Sequence, residues 1–257
     1  MTIKDWPADD YAIGAYIQAT VANMYLKHFK PKANARVLDI GCGDGSFSTT
    51  LLKLIPEGHM LGIDASENML SLAREKARQF NNFAVQKSDV LTMTFTNEFD
   101  VVVSFWCLQW TDDITKAFSH IYQALKPGGN VFTLFPSGDD PFMLSYQAVR
   151  DSGQFKELNH FDPPMHYSAL ENLAEKLKKT PFSKLKVDRT AHSIELPNLD
   201  TFRRFVYGIG FYQGYFSPEK IVEINEAMIN WYDAYCQSEF NGKFCFQFSP
   251  YWVTGEK

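Results

Sequence analysis

Several residues whose chemistry suits ligand binding fall where apolar runs end. The stretch Val37-Leu38-Asp39-Ile40-Gly41-Cys42-Gly43-Asp44-Gly45-Ser46 reads as a buried strand that turns through three alternate glycines into a helix. Backbone without side chains lets a ligand lie close against the chain. The helix that follows offers unpaired N–H groups and a partly positive end, which suit an anionic group. Asp64 closes the apolar run Met60-Leu61-Gly62-Ile63. A carboxylate there can cap a helix or accept both hydroxyls of a ribose, and the glycine turn before it favours the ribose. Asp89 follows a third short apolar run and can accept from an adenine amino group, with Val90 or Leu91 packed on the ring. The glycine spacing differs from the dinucleotide fingerprint G-x-G-x-x-G, because Ser46 stands where the third glycine belongs. A nicotinamide enzyme is therefore disfavoured.

These positions need a frame. Helical spacing over 9–29 ends before Pro31. Strands are then expected at 36–40, 59–63, 83–86, 99–105 and 131–135. Helices are expected at 46–55, at 67–80 after the N-cap candidate Ser66, and from Thr111 or Asp112 to Leu125, broken by Pro127-Gly128-Gly129. The alternation predicts a mostly parallel sheet with helices on both faces. In such sheets ligands bind beyond the carboxyl ends of the strands, where the strand order switches. Asp39, Asp64, Asp89 and Ser104 all sit at or just past strand ends, so one edge gathers them.

Beyond Pro136 the pattern changes to helices at 140–150, 168–179, 199–211 and about 217–238, with strands at 184–195 and 243–253. Ser217-Pro218-Glu219 is an N-cap with proline at N1. The chain reads as one domain over 1–257. Its core is 32–136, 184–197 and 217–257, and its cover is 1–31, 137–183 and 198–216.

The composition is globular, 45% hydrophobic and 21% charged, and its 22 Phe and 12 Tyr suffice for an aromatic pocket besides a core. The net charge of −5 argues against a nucleic-acid binder. No apolar run reaches the roughly 18–20 residues that span a bilayer, so no membrane association is expected. The opening residues lack the apolar stretch of a signal peptide. The four cysteines have no C-x-x-C spacing, so reduced thiols, a cytoplasmic location and no metal site are the expectation. Oligomeric state is not legible.

Five segments in order, VLDIGCGDGSFS (37–48), LGIDASENML (61–70), SDVLTM (88–93), FDVVVSFWCLQW (99–110) and LKPGG (125–129), resemble the motifs of class I S-adenosylmethionine-dependent methyltransferases. The resemblance implies a Rossmann-like α/β fold: a seven-stranded, mostly parallel sheet with helices on both faces, an antiparallel last strand and a helical cover over the strand ends. It implies S-adenosylmethionine as cofactor. Gly41, Cys42 and Gly43 would lie near the methionine moiety, and Asp64 with Ala65 at the ribose. Asp89 and Val90 would meet the adenine, with Met69 on its other face, and Ser104 and Phe105 would lie near the sulfonium. Asp39 would orient the loop or hold the cofactor ammonium, and Tyr11 and Gln18 on the first helix would close the pocket.

A narrower resemblance, to the trans-aconitate methyltransferase group, rests on Trp6 to Tyr11, Cys107-Leu108-Gln109-Trp110, Phe202 to Gly208 and Gly242 to Phe248. Related branches methylate malonyl thioesters and, in insects, a sesquiterpenoid acid. The shared chemistry is methyl-ester formation on a carboxylate. Where the tricarboxylate enzymes carry Leu-Arg-Pro, this chain has Phe211-Tyr212-Gln213, which tilts the expectation towards a less charged, more apolar small acid.

A carboxylate is ionised at neutral pH, so its methylation needs alignment and exclusion of water rather than a strong base. Trp106, Gln109 and Trp110 are the positioning candidates: aromatic faces attract a sulfonium, and Gln109 can donate to a carboxylate oxygen. The two tryptophans fit a core role equally well. His160, His166 and His192 read as loop or surface residues rather than bases, and Arg203 and Arg204 as a solvated helix face. A hydroxyl or nitrogen acceptor, which would need a base, and a non-catalytic binder of the cofactor are the alternatives.

Overall fold

The computed structural model describes residues 16–257. The elements in chain order are α1 (Tyr16–Leu26), β1 (Arg36–Ile40), α2 (Ser46–Leu52), β2 (His59–Asp64), α3 (Glu67–Ala77), β3 (Phe83–Lys87) and β4 (Phe99–Phe105). A 3-10 turn, Leu108–Trp110, leads to α4 (Ile114–Ala124), β5 (Leu125–Phe135) and α5 (Pro141–Asp151). Then come α6 (Leu173–Leu177), β6 (Ser183–Arg189), β7 (His192–Glu195), α7 (Leu199–Gly208), α8 (Pro218–Glu239), β8 (Cys245–Phe248) and β9 (Tyr251–Glu256).

Seven strands form one sheet in the order β3-β2-β1-β4-β5-β9-β6. β1 pairs in parallel with both β2 and β4, so the strand order reverses at β1. That reversal opens a crevice beyond the carboxyl ends of the central strands. β9 runs antiparallel between β5 and β6. Side chains alternate across the sheet: Val37, Val101 and Val103 join the core on one face, and Leu38, Ile40 and Val102 the core on the other. Burial on both faces is why these strands are apolar at every position but a few.

The helix starts follow cap chemistry. Ser66 accepts from the Met69 N–H, Asp113 from Lys116, Asp140 from Phe142 and Met143, and Ser217 from Lys220.

Four expectations are corrected. The strand predicted over 184–195 is two strands, β6 in the main sheet and β7 in a separate pair with β8. The strand predicted over 243–253 is likewise split, with Ser249 and Pro250 between β8 and β9, because proline lacks the N–H that a ladder requires. Pro127-Gly128-Gly129 does not separate helix from strand but lies inside β5, where the pairing with β4 slips between Phe99 and Val101. The helix predicted over 168–179 is a 3-10 turn, Tyr167–Leu170, followed by the short α6. The portion 9–15 of the first expected helix lies outside the described residues. α8 packs on α5 and α7.

Candidate active site

A cavity of about 930 Å³ opens beyond the carboxyl ends of the central strands. That is the upper end of the range for small-molecule sites, with room for two ligands of modest size.

The glycine turn forms part of its wall. Gly41, Gly43 and Gly45 have φ of 72°, 56° and 78°, a left-handed backbone that side chains disfavour. Gly41 has a second reason to be glycine: a Cβ there would stand 2.3 Å from the Cβ of Cys107. A Cβ on Gly43 would meet nothing within 4 Å. Gly43 therefore leaves an open cradle at the cavity wall. Asp44 rigidifies the turn by accepting from the Ser46 N–H at 3.0 Å and from Lys76 Nζ at 2.6 Å. Burial opposes its ionisation, but the Lys76 and Ser46 contacts prevail and hold its carboxyl below the usual range.

Asp64 comes to the same wall from the end of β2. Its Oδ2 accepts from the Gly43 N–H at 2.9 Å and its Oδ1 from the Ser66 N–H at 2.8 Å. Two backbone donors thus fix the carboxylate plane before any ligand arrives. Beside it, Ala65 and Met69 line the cavity, and Asp89 and Val90 line it from beyond β3. The Leu91 N–H donates to Asp89 Oδ1 at 2.8 Å. Gly41, Phe105 and Gln18 also line the cavity.

Three predicted cofactor residues are buried and do not line the cavity. Asp39 is 3% exposed and accepts from Ser48 Oγ at 2.6 Å, which ties β1 to α2. Burial raises its pKa to about 6, the Ser48 bond opposes the rise and the Asp64 charge adds to it. Cys42 is buried against Gly62, and its burial pushes the thiol up. Ser104 Oγ donates to the Ile40 carbonyl at 2.9 Å, joining β4 to β1. Tyr11 lies outside the described residues.

The far half of the cavity belongs to the cover. Trp106 and Trp110 line it with Phe142, Met165, Tyr167, Phe205, Phe211, Phe246 and Phe248. Sequence reasoning left these cover aromatics unassigned, since aromatic residues of core and pocket look alike in a chain rich in both. Trp106 has φ of 59°, a conformation that costs a bulky residue about 1–3 kcal/mol.

Gln109 also lines the cavity. One N–H of its Nε2 donates to the Trp106 carbonyl at 2.9 Å, which orients the amide and leaves the second N–H for another acceptor, and its buried Oε1 has no partner among the described residues.

Among the charged groups, sequence reasoning passed over Asp140, although an Asp before a proline at a helix start is a cap signal. It lines the cavity at 7% exposure, and its Oδ1 accepts from Phe142 and Met143. Burial raises its pKa to about 6 against the pull of those N–H groups. His166 lines the cavity, and its N–H donates to the Gln109 carbonyl at 2.9 Å. His160 is exposed, and His192 bonds Tyr25. Arg203 pairs with Glu226 and Arg204 with Asp200, and neither lines the cavity. Lys116 is the one lysine or arginine among the described lining residues.

Residues 37–129 match the family model described as a methyltransferase domain. The matched span runs from β1 through the turn of β5 and contains the glycine turn, Asp64 and Asp89. That span is a methyltransferase domain, and the seven-stranded sheet around it has the class I, Rossmann-like topology. Among curated relatives, malonyl-[acyl-carrier protein] O-methyltransferase 1 of Ilyobacter polytropus is 28% identical over 207 residues, 79% of this chain and 72% of the relative. A relative from Invertebrate iridescent virus 6 is 29% identical over 133 residues, and the chain spans only about half of it (49%). Among solved structures, Haemonchus contortus phosphoethanolamine N-methyltransferase 2 in complex with S-adenosyl-L-methionine superimposes with a TM-score of 0.60 at 23% identity, covering 93% of this chain and 52% of that one. The last comparison speaks for the fold alone.

S-adenosylmethionine is the cofactor that such a methyltransferase domain implies, and the residues present fit it. The open cradle at Gly43, the preoriented Asp64 carboxylate and the apolar Met69 and Val90 offer the clearance, the acceptor and the apolar surface that its amino-acid, ribose and adenine parts require. No described helix is long and apolar enough to cross a membrane.

Proposed function

We propose that this protein methylates a carboxylate oxygen of a small, largely apolar acid. S-adenosylmethionine, when bound, supplies an electrophilic methyl group on a sulfonium. The cofactor half would hold it through Asp64 at the ribose, Asp89 at the adenine and Gly41 and Gly43 along the methionine moiety. The observation that carries the acceptor reading is the far half: an aromatic wall that no arginine lines among the described residues. Such a wall suits one carboxylate on an apolar body and leaves a tricarboxylate without guanidinium partners.

The chain's own part in this chemistry is binding, orientation and exclusion of water. An ionised carboxylate needs no base. Aromatic surfaces strip its hydration and attract the sulfonium charge. The malonyl-[acyl-carrier protein] O-methyltransferases among the relatives support an oxygen acceptor.

Asp140 favours a second reading. A buried carboxylate in the wall offers a base to a hydroxyl or nitrogen acceptor. Turnover of labelled cofactor against a panel of mono-, di- and tricarboxylates, alcohols and amines separates the readings. Apolar monocarboxylates are expected to lead. Preference for an alcohol or amine, with loss of turnover in Asp140→Asn, would replace the first reading by the second.

A further inference from the structure

The left-handed backbone at Trp106 is held from three sides. Its N–H donates to the Leu134 carbonyl at 2.8 Å, its carbonyl accepts from Gln109 Nε2 at 2.9 Å, and its indole Nε1–H donates to the Gln18 carbonyl at 2.9 Å. A strained conformation persists only where its surroundings over-determine it, and such sites gather at ligand clamps. An extended residue here would carry β4 onward and send the indole along the alternation of the strand. The turn instead places it beneath α1.

The described part of α1 is Tyr16–Leu26. Its far end is tethered by Tyr25 Oη to His192 Nε2 at 2.7 Å. Its first turns carry Ile17, Gln18 and Val21, which line the cavity.

We propose that Trp106 is a positioning residue, a pin from the end of β4 that seats the first turns of α1 over the cofactor. The role rests on the assignment of S-adenosylmethionine to this cavity. The acceptor plays no part in it, so its test needs no knowledge of the acceptor. Trp106→Phe keeps an aromatic face and removes the indole N–H together with one ring of the indole.

The probe is S-adenosylhomocysteine, titrated into the full chain by calorimetry, with amide hydrogen exchange read with and without it. Wild type should bind, and binding should slow exchange over residues 16–26. Trp106→Phe should bind roughly fivefold to tenfold more weakly, the loss of about one hydrogen bond. It should also lose the ligand-induced protection of 16–26 while β1 and β4 exchange as in wild type. Gln109→Met, which frees the Trp106 carbonyl at similar volume, should shift both readouts the same way if Trp106→Phe proves poorly folded. Wild-type affinity with intact protection of 16–26 in a folded variant overturns the pin and leaves the cofactor assignment standing. Absence of binding by wild type overturns both.

Discussion

Asp64, Gly43 and Ser66 meet the cofactor half of the cavity through backbone hydrogen bonds made within two consecutive β-α units. The acceptor half is assembled differently. Phe142 comes from α5, Tyr167 from a 3-10 turn, Phe205 from α7 and Phe246 from β8, four segments dispersed over the second half of the chain. The first half is polar and set by local turn geometry, whereas the second is aromatic and set by packing. A site of the first kind constrains residue types at fixed spacings. A site of the second kind constrains only summed shape, so its occupant can change while the fold stays the same.

Substitutions can break this contrast. The largest effect is expected from two of the turn's three glycines, Gly41 and Gly43, which share a left-handed backbone and differ in what faces them. Gly41→Ala should lose about 3–4 kcal/mol of stability in chemical unfolding, since its Cβ would collide with Cys107 at 2.3 Å in a left-handed conformation. Gly43→Ala should lose only about 1 kcal/mol, because nothing stands within 4 Å, yet it should weaken S-adenosylhomocysteine binding sharply. Equal stability losses with unaffected binding in Gly43→Ala would remove the cradle from the cofactor site.

Next in size, Asp64→Ala should weaken S-adenosylhomocysteine binding at least about a hundredfold in calorimetry, since charge-assisted bonds to two hydroxyls would vanish. Undiminished affinity would sink the ribose assignment.

Asp140 probes the acceptor half through pH. Its folded pKa, about 6, lies above the unfolded value near 3.8. A raised value means that the folded state holds the proton more tightly. The contribution is therefore fully present below pH 4 and is lost as pH rises through 6. Asn caps a helix nearly as well as Asp and does not titrate there. Wild type should thus fall relative to Asp140→Asn by about 2–3 kcal/mol between pH 4 and pH 7 in urea unfolding. A constant difference between the two proteins would show that burial of this carboxylate is not felt.

The smallest effect sharpens the acceptor. Gln213 lines the cavity, and Gln213→Arg should raise turnover of polycarboxylates relative to monocarboxylates by about fivefold, through one partly exposed ion pair. An unchanged ratio would place the acceptor's anionic groups elsewhere in the cavity. The buried Tyr212, whose hydroxyl meets Met228 Sδ at 3.2 Å, is not equivalent, since a charge there would have no water.

The alternation of the β-α units followed from the sequence because apolar runs, proline breaks and caps are local signals. Asp64 and Asp89 were legible for the same reason: each ends a strand, and a parallel sheet brings strand ends together. Asp39 and Ser104 show where this reading stops. Both sit at strand ends too, yet they face inward and serve Ser48 and the Ile40 carbonyl. Which face a strand-end residue takes depends on where the chain turns, and a turn shifted by one residue reverses it. Gln109 shows the same limit for a side chain, since its amide is oriented by a neighbouring carbonyl that only the left-handed turn at Trp106 brings within reach.

The sequence alone determined the β-α alternation and the mostly parallel sheet, because glycines, caps and strand ends act within a few residues of themselves. The tertiary structure decided the rest. It set the strand order with its reversal at β1, split 184–195 and 243–253 into strands of two sheets, packed α8 on α5 and α7, buried Asp140 in the cavity wall and pinned α1 with an indole. Those outcomes depend on contacts between residues far apart in the chain, whose energies compete only once the whole core is packed.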